Sequence, residues 1–118
     1  MEHHDLLAGF VRLHVLHHAA EHEIYGQWMI DELARHGYRL SPGTLYPMLH
    51  TMELRGYLTS RVERVGRSTR KFYRATEFGL RGLMVAKLRV REFIGEAFGP
   101  SQGDEASDER DASPGNSQ

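Results

Sequence analysis

The chain contains no cysteine. That excludes a disulfide framework and any thiolate zinc site, and it fits a reducing compartment. No apolar run approaches the roughly 18 residues that a membrane span needs. The start, Met1-Glu2-His3-His4-Asp5, lacks the basic opening of a secretory signal. There is no internal repeat, no nucleophile-base pair, no glycine-rich phosphate loop and no convincing carboxylate dyad. These absences point to a soluble, cytoplasmic protein of one domain without enzymatic activity, with no cofactor and no membrane partner.

What is present is an uneven distribution of charge. The net charge of -1 combines an acidic end with a basic middle. Residues 99–118 carry Asp104, Glu105, Asp108, Glu109 and Asp111 against Arg110 alone. That stretch is rich in Ser, Gly and Pro and has no aromatic residue, so it is expected to be disordered. Residues 55–74 carry Arg55, Arg61, Arg64, Arg67, Arg70, Lys71 and Arg74 against Glu63. A basic cluster on a short segment is the footprint of a polyanion partner, although a solvated hairpin has the same composition.

Periodicity supplies the elements. Asp5 is placed to cap a first helix reaching about Ala20, with Leu6, Leu7, Phe10, Val11, His14 and His17/His18 along one face. Leu13, Val15 and Leu16 widen that face, as in a buried helix. A second helix covers about Tyr25 to His36 and stops at Gly37. Ser41-Pro42 reads as the N-cap and first position of a third helix that ends at Gly56. Its buried stripe is Leu45, Leu49 and Met52. Ser41, Gly43, Thr44, Tyr46, Pro47 and His50 fall largely off that stripe, and Pro47 is expected to bend or loosen the helix. Two strands, about 58–64 and 70–75, flank the turn Val65-Gly66-Arg67-Ser68 and form a hairpin. Thr76 caps a fourth helix, about Glu77 to Phe98, with more apolar positions than one small chain can cover.

This order is mostly α with a small β-hairpin (α+β): a winged helix-turn-helix followed by a long C-terminal dimerisation helix. The expected division is a DNA-binding domain at 1–76, a dimerisation helix at 77–98 and a disordered acidic tail at 99–118. In such an assembly the third helix enters the major groove and the hairpin lays its cations on the adjacent backbone or minor groove.

The run GYRLSPGTLYPMLHTMELRGYL, Gly37 to Leu58, resembles the signature of PadR-type transcription regulators. RKFYRATEFG, Arg70 to Gly79, resembles the second wing strand and the start of that family's last helix. IYGQWMIDEL, Ile24 to Leu33, resembles its second helix, where a glycine sits near the start. The likeness covers about residues 6–98 and suits the branch with a single C-terminal helix. It implies a homodimer on double-stranded DNA with an inverted-repeat operator, commonly a repressor released by a small-molecule effector. The positions matching DNA-facing ones are Ser41, Thr44, Tyr46 and His50 on the third helix and Arg67, Arg70 and Lys71 in the wing. Leu83, Leu88 and Ile94 are the expected dimer contacts.

The first helix also carries His14, His17, His18 and His22 beside Glu21, a spacing that places two or three imidazoles on one face. The plain reading is a histidine-rich interface helix with no metal; the alternative is a regulator that senses a metal or another ligand through these residues. HAAEH, His18 to His22, fits a zinc-protease pattern, but the short chain and the absence of a downstream acidic ligand speak against it. Trp28 and Met29 read as core in preference to an effector pocket. A further alternative keeps the winged helix but gives it a protein partner, as an interaction adaptor.

Overall fold

The structure, a computed structural model, describes residues 2–99. The expected tail therefore lies almost wholly outside the described residues. The elements are α1 (His4–Glu21), β1 (Ile24–Tyr25), α2 (Gly26–Arg35), α3 (Pro42–Leu54), β2 (Leu58–Val65), β3 (Ser68–Ala75) and α4 (Glu77–Phe98). The chain divides into two compact units, Met1–Met84 and Val85–Gln118.

Two of the helix ends are written in glycine. After α2, Gly37 takes a φ of 89°, its N–H donates to the Ala34 carbonyl, and the Tyr38 N–H donates to the Leu33 carbonyl. After α3, Gly56 takes a φ of 87° and the same pair of bonds runs from Gly56 to Glu53 and from Tyr57 to Met52. Both are Schellman caps, in which a left-handed glycine lets the chain turn back onto orphan carbonyls. Thr76 caps α4 as expected: its hydroxyl accepts the Gly79 N–H at 2.9 Å and donates to the Gly56 carbonyl. Gly79 is also required for packing, because a β carbon there would overlap the Tyr57 carbonyl oxygen.

Other local expectations are corrected. Asp5 does not cap α1; the N-cap is His3 in a left-handed conformation, and Asp5 lies in the first turn, where its charge suits the helix dipole. Ser41 is the N-cap of α3, yet its hydroxyl bonds to Thr44 Oγ1 and not to a backbone N–H. A two-residue strand, β1, precedes α2 and takes Tyr25, where the sequence pattern starts the helix. It makes the hairpin the larger part of a three-stranded antiparallel sheet, ordered β1-β3-β2.

The hairpin register pairs Val65 with Ser68, Lys71 with Val62 and Tyr73 with Ser60. The turn is therefore two residues, Gly66-Arg67, with Gly66 at a φ of 65°. Pleating puts Lys71 and Tyr73 on one face and Arg70, Phe72 and Arg74 on the other.

The core gathers Val11, Val15 and Ala19 of α1, Met29 and Leu33 of α2, Leu45, Leu49 and Met52 of α3, and Ile24, Leu58 and Tyr73 of the sheet. Met29 is fully buried and Trp28 half-buried against this core. The α1 face expected to be buried splits: Leu6 and Phe10 are exposed, at 76% and 43%, while Val11 and Val15 are not exposed at all. Leu83 is also corrected. Apolar spacing leaves it nothing to cover within one chain, but it is only 7% exposed and belongs to this core.

Candidate nucleic-acid interface

Three elements meet in a cleft of about 350 Å³. The first turn of α2 contributes Gly26 and Gln27, α3 contributes Tyr46, and β3 contributes Thr69, Arg70 and Lys71, with Tyr25 and Tyr73 completing the wall. The helix α2 begins without a side-chain cap, and the first N–H groups of a helix have no partner within it. Tyr46 is 44% exposed and leans over Gly26 so closely that a β carbon there would fall within its ring. The glycine is what lets the α3 tyrosine and the start of α2 share one surface.

The wing supplies the cations, and they are not equivalent. The Arg70 guanidinium lies 4.1 Å over the Tyr25 ring, and Tyr25 meets Phe72 edge-on at 5.7 Å. On the same face Arg61 lies 4.8 Å over Phe72. These cation-aromatic contacts fix the side chains over the rings of neighbouring strands. Arg61 is already neutralised: it donates twice to Glu23, each at 2.7 Å, and once to Glu63. The hydrogen bonds from Arg61 hold the Glu23 carboxyl below the usual range. Lys71 is partly engaged, 3.5 Å from Glu53 Oε1 of α3, whose other oxygen accepts the Ser60 hydroxyl. Arg67 stands exposed in the hairpin turn, and among the described residues neither Arg67 nor Arg70 has an ion pair within 4.0 Å.

Of the seven residues expected to face DNA, Tyr46, Arg70 and Lys71 come together in the cleft. Ser41 and Thr44 lie beside one another at the start of α3, joined by a 3.3 Å hydroxyl bond. His50 is exposed further along α3, and Arg67 is at the wing tip. Sequence reasoning missed Tyr25, Gly26, Gln27, Thr69 and Tyr73. The available signal was the glycine opening α2, a residue type that marks close approach when it begins a helix.

No described helix is long and apolar enough to cross a membrane. The profile of the family described as "Transcriptional regulator PadR-like family" matches residues 15–84, more than half of the chain. The chain belongs to the PadR-like family of transcriptional regulators. The matched segment ends at Met84, where the first compact unit also ends.

The transcriptional regulator Rv3488 of Mycobacterium tuberculosis is 48% identical over 89 residues, covering 75% of this chain and 83% of that protein. A crystal structure of a PadR family regulator from Eggerthella lenta DSM 2243 superposes with a TM-score of 0.69 at 30% identity, covering 82% of this chain and 88% of the other. A PadR-like regulator from Bacillus cereus gives 0.68 at 24% identity, covering 82% and 99%, and shows the shared fold. The four helices with a small three-stranded sheet are thus the winged-helix arrangement of PadR-like proteins.

Proposed function

We propose that the chain binds duplex DNA in the cytoplasm as a homodimer, with α3 in the major groove and the β2–β3 wing on the flanking backbone. One observation carries this reading: Tyr46 of the recognition helix, the uncapped start of α2 and the wing cations Arg70 and Lys71 line a single cleft. Phosphate fits that chemistry, since helix N–H groups, a phenol and a guanidinium are its usual partners. Ser41, Thr44 and His50 then face the base edges and Arg67 reaches the neighbouring backbone or minor groove.

The second copy is argued from α4. Val85, Leu88, Phe93, Ile94 and Phe98 are each half-exposed or more, a density of apolar surface that soluble chains cover. On helical spacing Leu88 and Ile94 lie about 120° apart, so the cover must wrap the helix and not merely touch one stripe. The regulator is read as a repressor released by a small effector, which rests on its family, and the reading assigns no catalytic residue.

Selection of bound duplexes from a random pool tests the proposal. The expected product is an inverted repeat with half-site centres about 34 Å apart or a multiple of that. Recovery of no sequence, with no salt-dependent affinity for any duplex, would favour a protein-binding adaptor instead.

A further inference from the structure

Away from the cleft, a second constellation lies where α1 faces α2. His14 and His18 are one helical turn apart on α1, and Glu32 and His36 are one turn apart at the end of α2, so each pair shares a helix face. Glu32 Oε2 lies 3.5 Å from His18 Nε2 and accepts from His36 Nε2 at 3.2 Å. The His14 and His36 rings are 5.0 Å apart. One ring nitrogen of each of His14, His18 and His36 falls within 4.8 Å of the others. We infer that His14, His18, Glu32 and His36 form a binding site for a divalent cation of the zinc type.

The donor set suits that class, because imidazole with one carboxylate is the chemistry of borderline divalent metals. With metal–ligand bonds of about 2.0–2.1 Å, tetrahedral donors stand roughly 3.3 Å apart. Glu32 already holds about that spacing to His18 and His36. His18 and Glu32 are largely shielded while His36 is half-exposed, so the site has both a dry floor and an entry. Glu32 Oε1 accepts from Arg35 Nη1 at 2.9 Å, the outer contact that orients a ligating carboxylate.

The arrangement differs from a set confined to α1. His17, His18 and Glu21 also approach one another, but His17 and His18 are adjacent and diverge by about 100° around the helix. His18 cannot serve both. His22 is turned away, its Nδ1 2.8 Å from the Glu23 carbonyl and its ring 5.0 Å from Trp28. A cation held by the two-helix set ties α1 to the end of α2, one residue before the Gly37 turn that leads to α3. The site stands independently of the DNA-binding reading.

The test is calorimetric titration of the metal-stripped full chain with zinc alone, together with thermal unfolding and visible absorption of the cobalt form. The expected results are one ion per chain, tetrahedral cobalt bands, and a rise in melting temperature on the order of 10 °C at zinc a hundredfold above Kd. His36→Gln and Glu32→Gln should each weaken zinc more than tenfold, and His17→Gln should leave affinity unchanged. Circular dichroism of each variant confirms that it is folded, and His14→Gln gives a further ligand-loss variant should one of the others not fold. The absence of saturable binding, equal binding by wild type and His36→Gln, or loss of binding in His17→Gln would each overturn the assignment.

Discussion

The Tyr46 ring lies directly against the backbone of Gly26, in the space a β carbon would need. One residue begins α2 and the other projects from α3, so this contact joins the two helices at the cleft. Gly26→Ala should therefore displace Tyr46 while leaving the fold nearly intact. The ring is a partly exposed side chain free to swing, and alanine is the better helix former. DNA affinity should fall, and Tyr46→Ala should add little to it. A double-mutant cycle measured by fluorescence anisotropy checks this. The expected coupling is about 0.5–3 kcal/mol, and simple additivity would mean that the contact does not position Tyr46 for DNA.

Acid should reveal the Glu23–Arg61 pair. The Glu23 carboxyl is held below its ordinary value of 4.5, first by the hydrogen bonds from Arg61. Because the folded value lies below the unfolded one, the pair stabilises the fold above the unfolded value. That contribution disappears as pH falls through the folded value. Urea unfolding of wild type should weaken across that acidic window. Glu23→Gln should start less stable near neutrality and lose less on acidification. Parallel pH profiles for the two proteins would show that the pair contributes nothing beyond surface charge.

Much of this architecture is legible in the residues because it is local. Gly37, Gly56 and Ser41-Pro42 mark helix boundaries through backbone constraints that act within a few positions, and the Val65–Ser68 turn fixes the wing register through glycine. β1 is not legible, since two residues cannot display a period. Leu83 was misplaced for a different reason: apolar spacing says that a residue is buried but not whether its own chain or another covers it. The cleft was half visible. Tyr46, Arg70 and Lys71 follow from the motif, whereas Tyr25 and Gln27 become neighbours of the wing only through sheet pairing. Likewise the α1 histidines are visible as a cluster, but Glu32 and His36 join them only after α1 and α2 are placed together.

The proposed homodimer predicts a sharp response at Leu88. That side chain is 54% exposed in the single chain, so glutamate there costs the monomer little. In a two-chain interface it introduces an unpaired buried charge at about 3–5 kcal/mol. Leu88→Glu should run as a monomer, or as an aggregate, in light scattering, with loss of inverted-repeat binding. A clean dimer from this variant would remove Leu88 from the interface and with it the present role of α4.

The wing and the recognition helix should fail in different ways, because phosphates position a protein and base edges specify its site. Arg70 and Arg67 carry no ion pair among the described residues, and Arg70 is fixed over the Tyr25 ring. Replacing either with alanine should weaken cognate and scrambled duplexes about equally and reduce the salt slope by about one unit per lost phosphate contact. Arg61→Ala is the internal control. Its charge is already shared between Glu23 and Glu63, so the slope should stay close to that of wild type. Thr44→Ala should instead cost the cognate site about 1–3 kcal/mol more than the scrambled one, if its methyl or hydroxyl meets a base, with the slope unchanged. Tyr46→Ala is expected to show both effects in smaller measure, since it stands in the cleft and on α3 together. The measurement is a set of anisotropy titrations against both duplexes at several salt concentrations. Wing variants that shift sequence preference, beside α3 variants that shift only the salt slope, would reverse the assignment of the two elements. An Arg61 variant that lowers the slope as much as Arg70→Ala would show that its pairing with Glu23 opens on DNA.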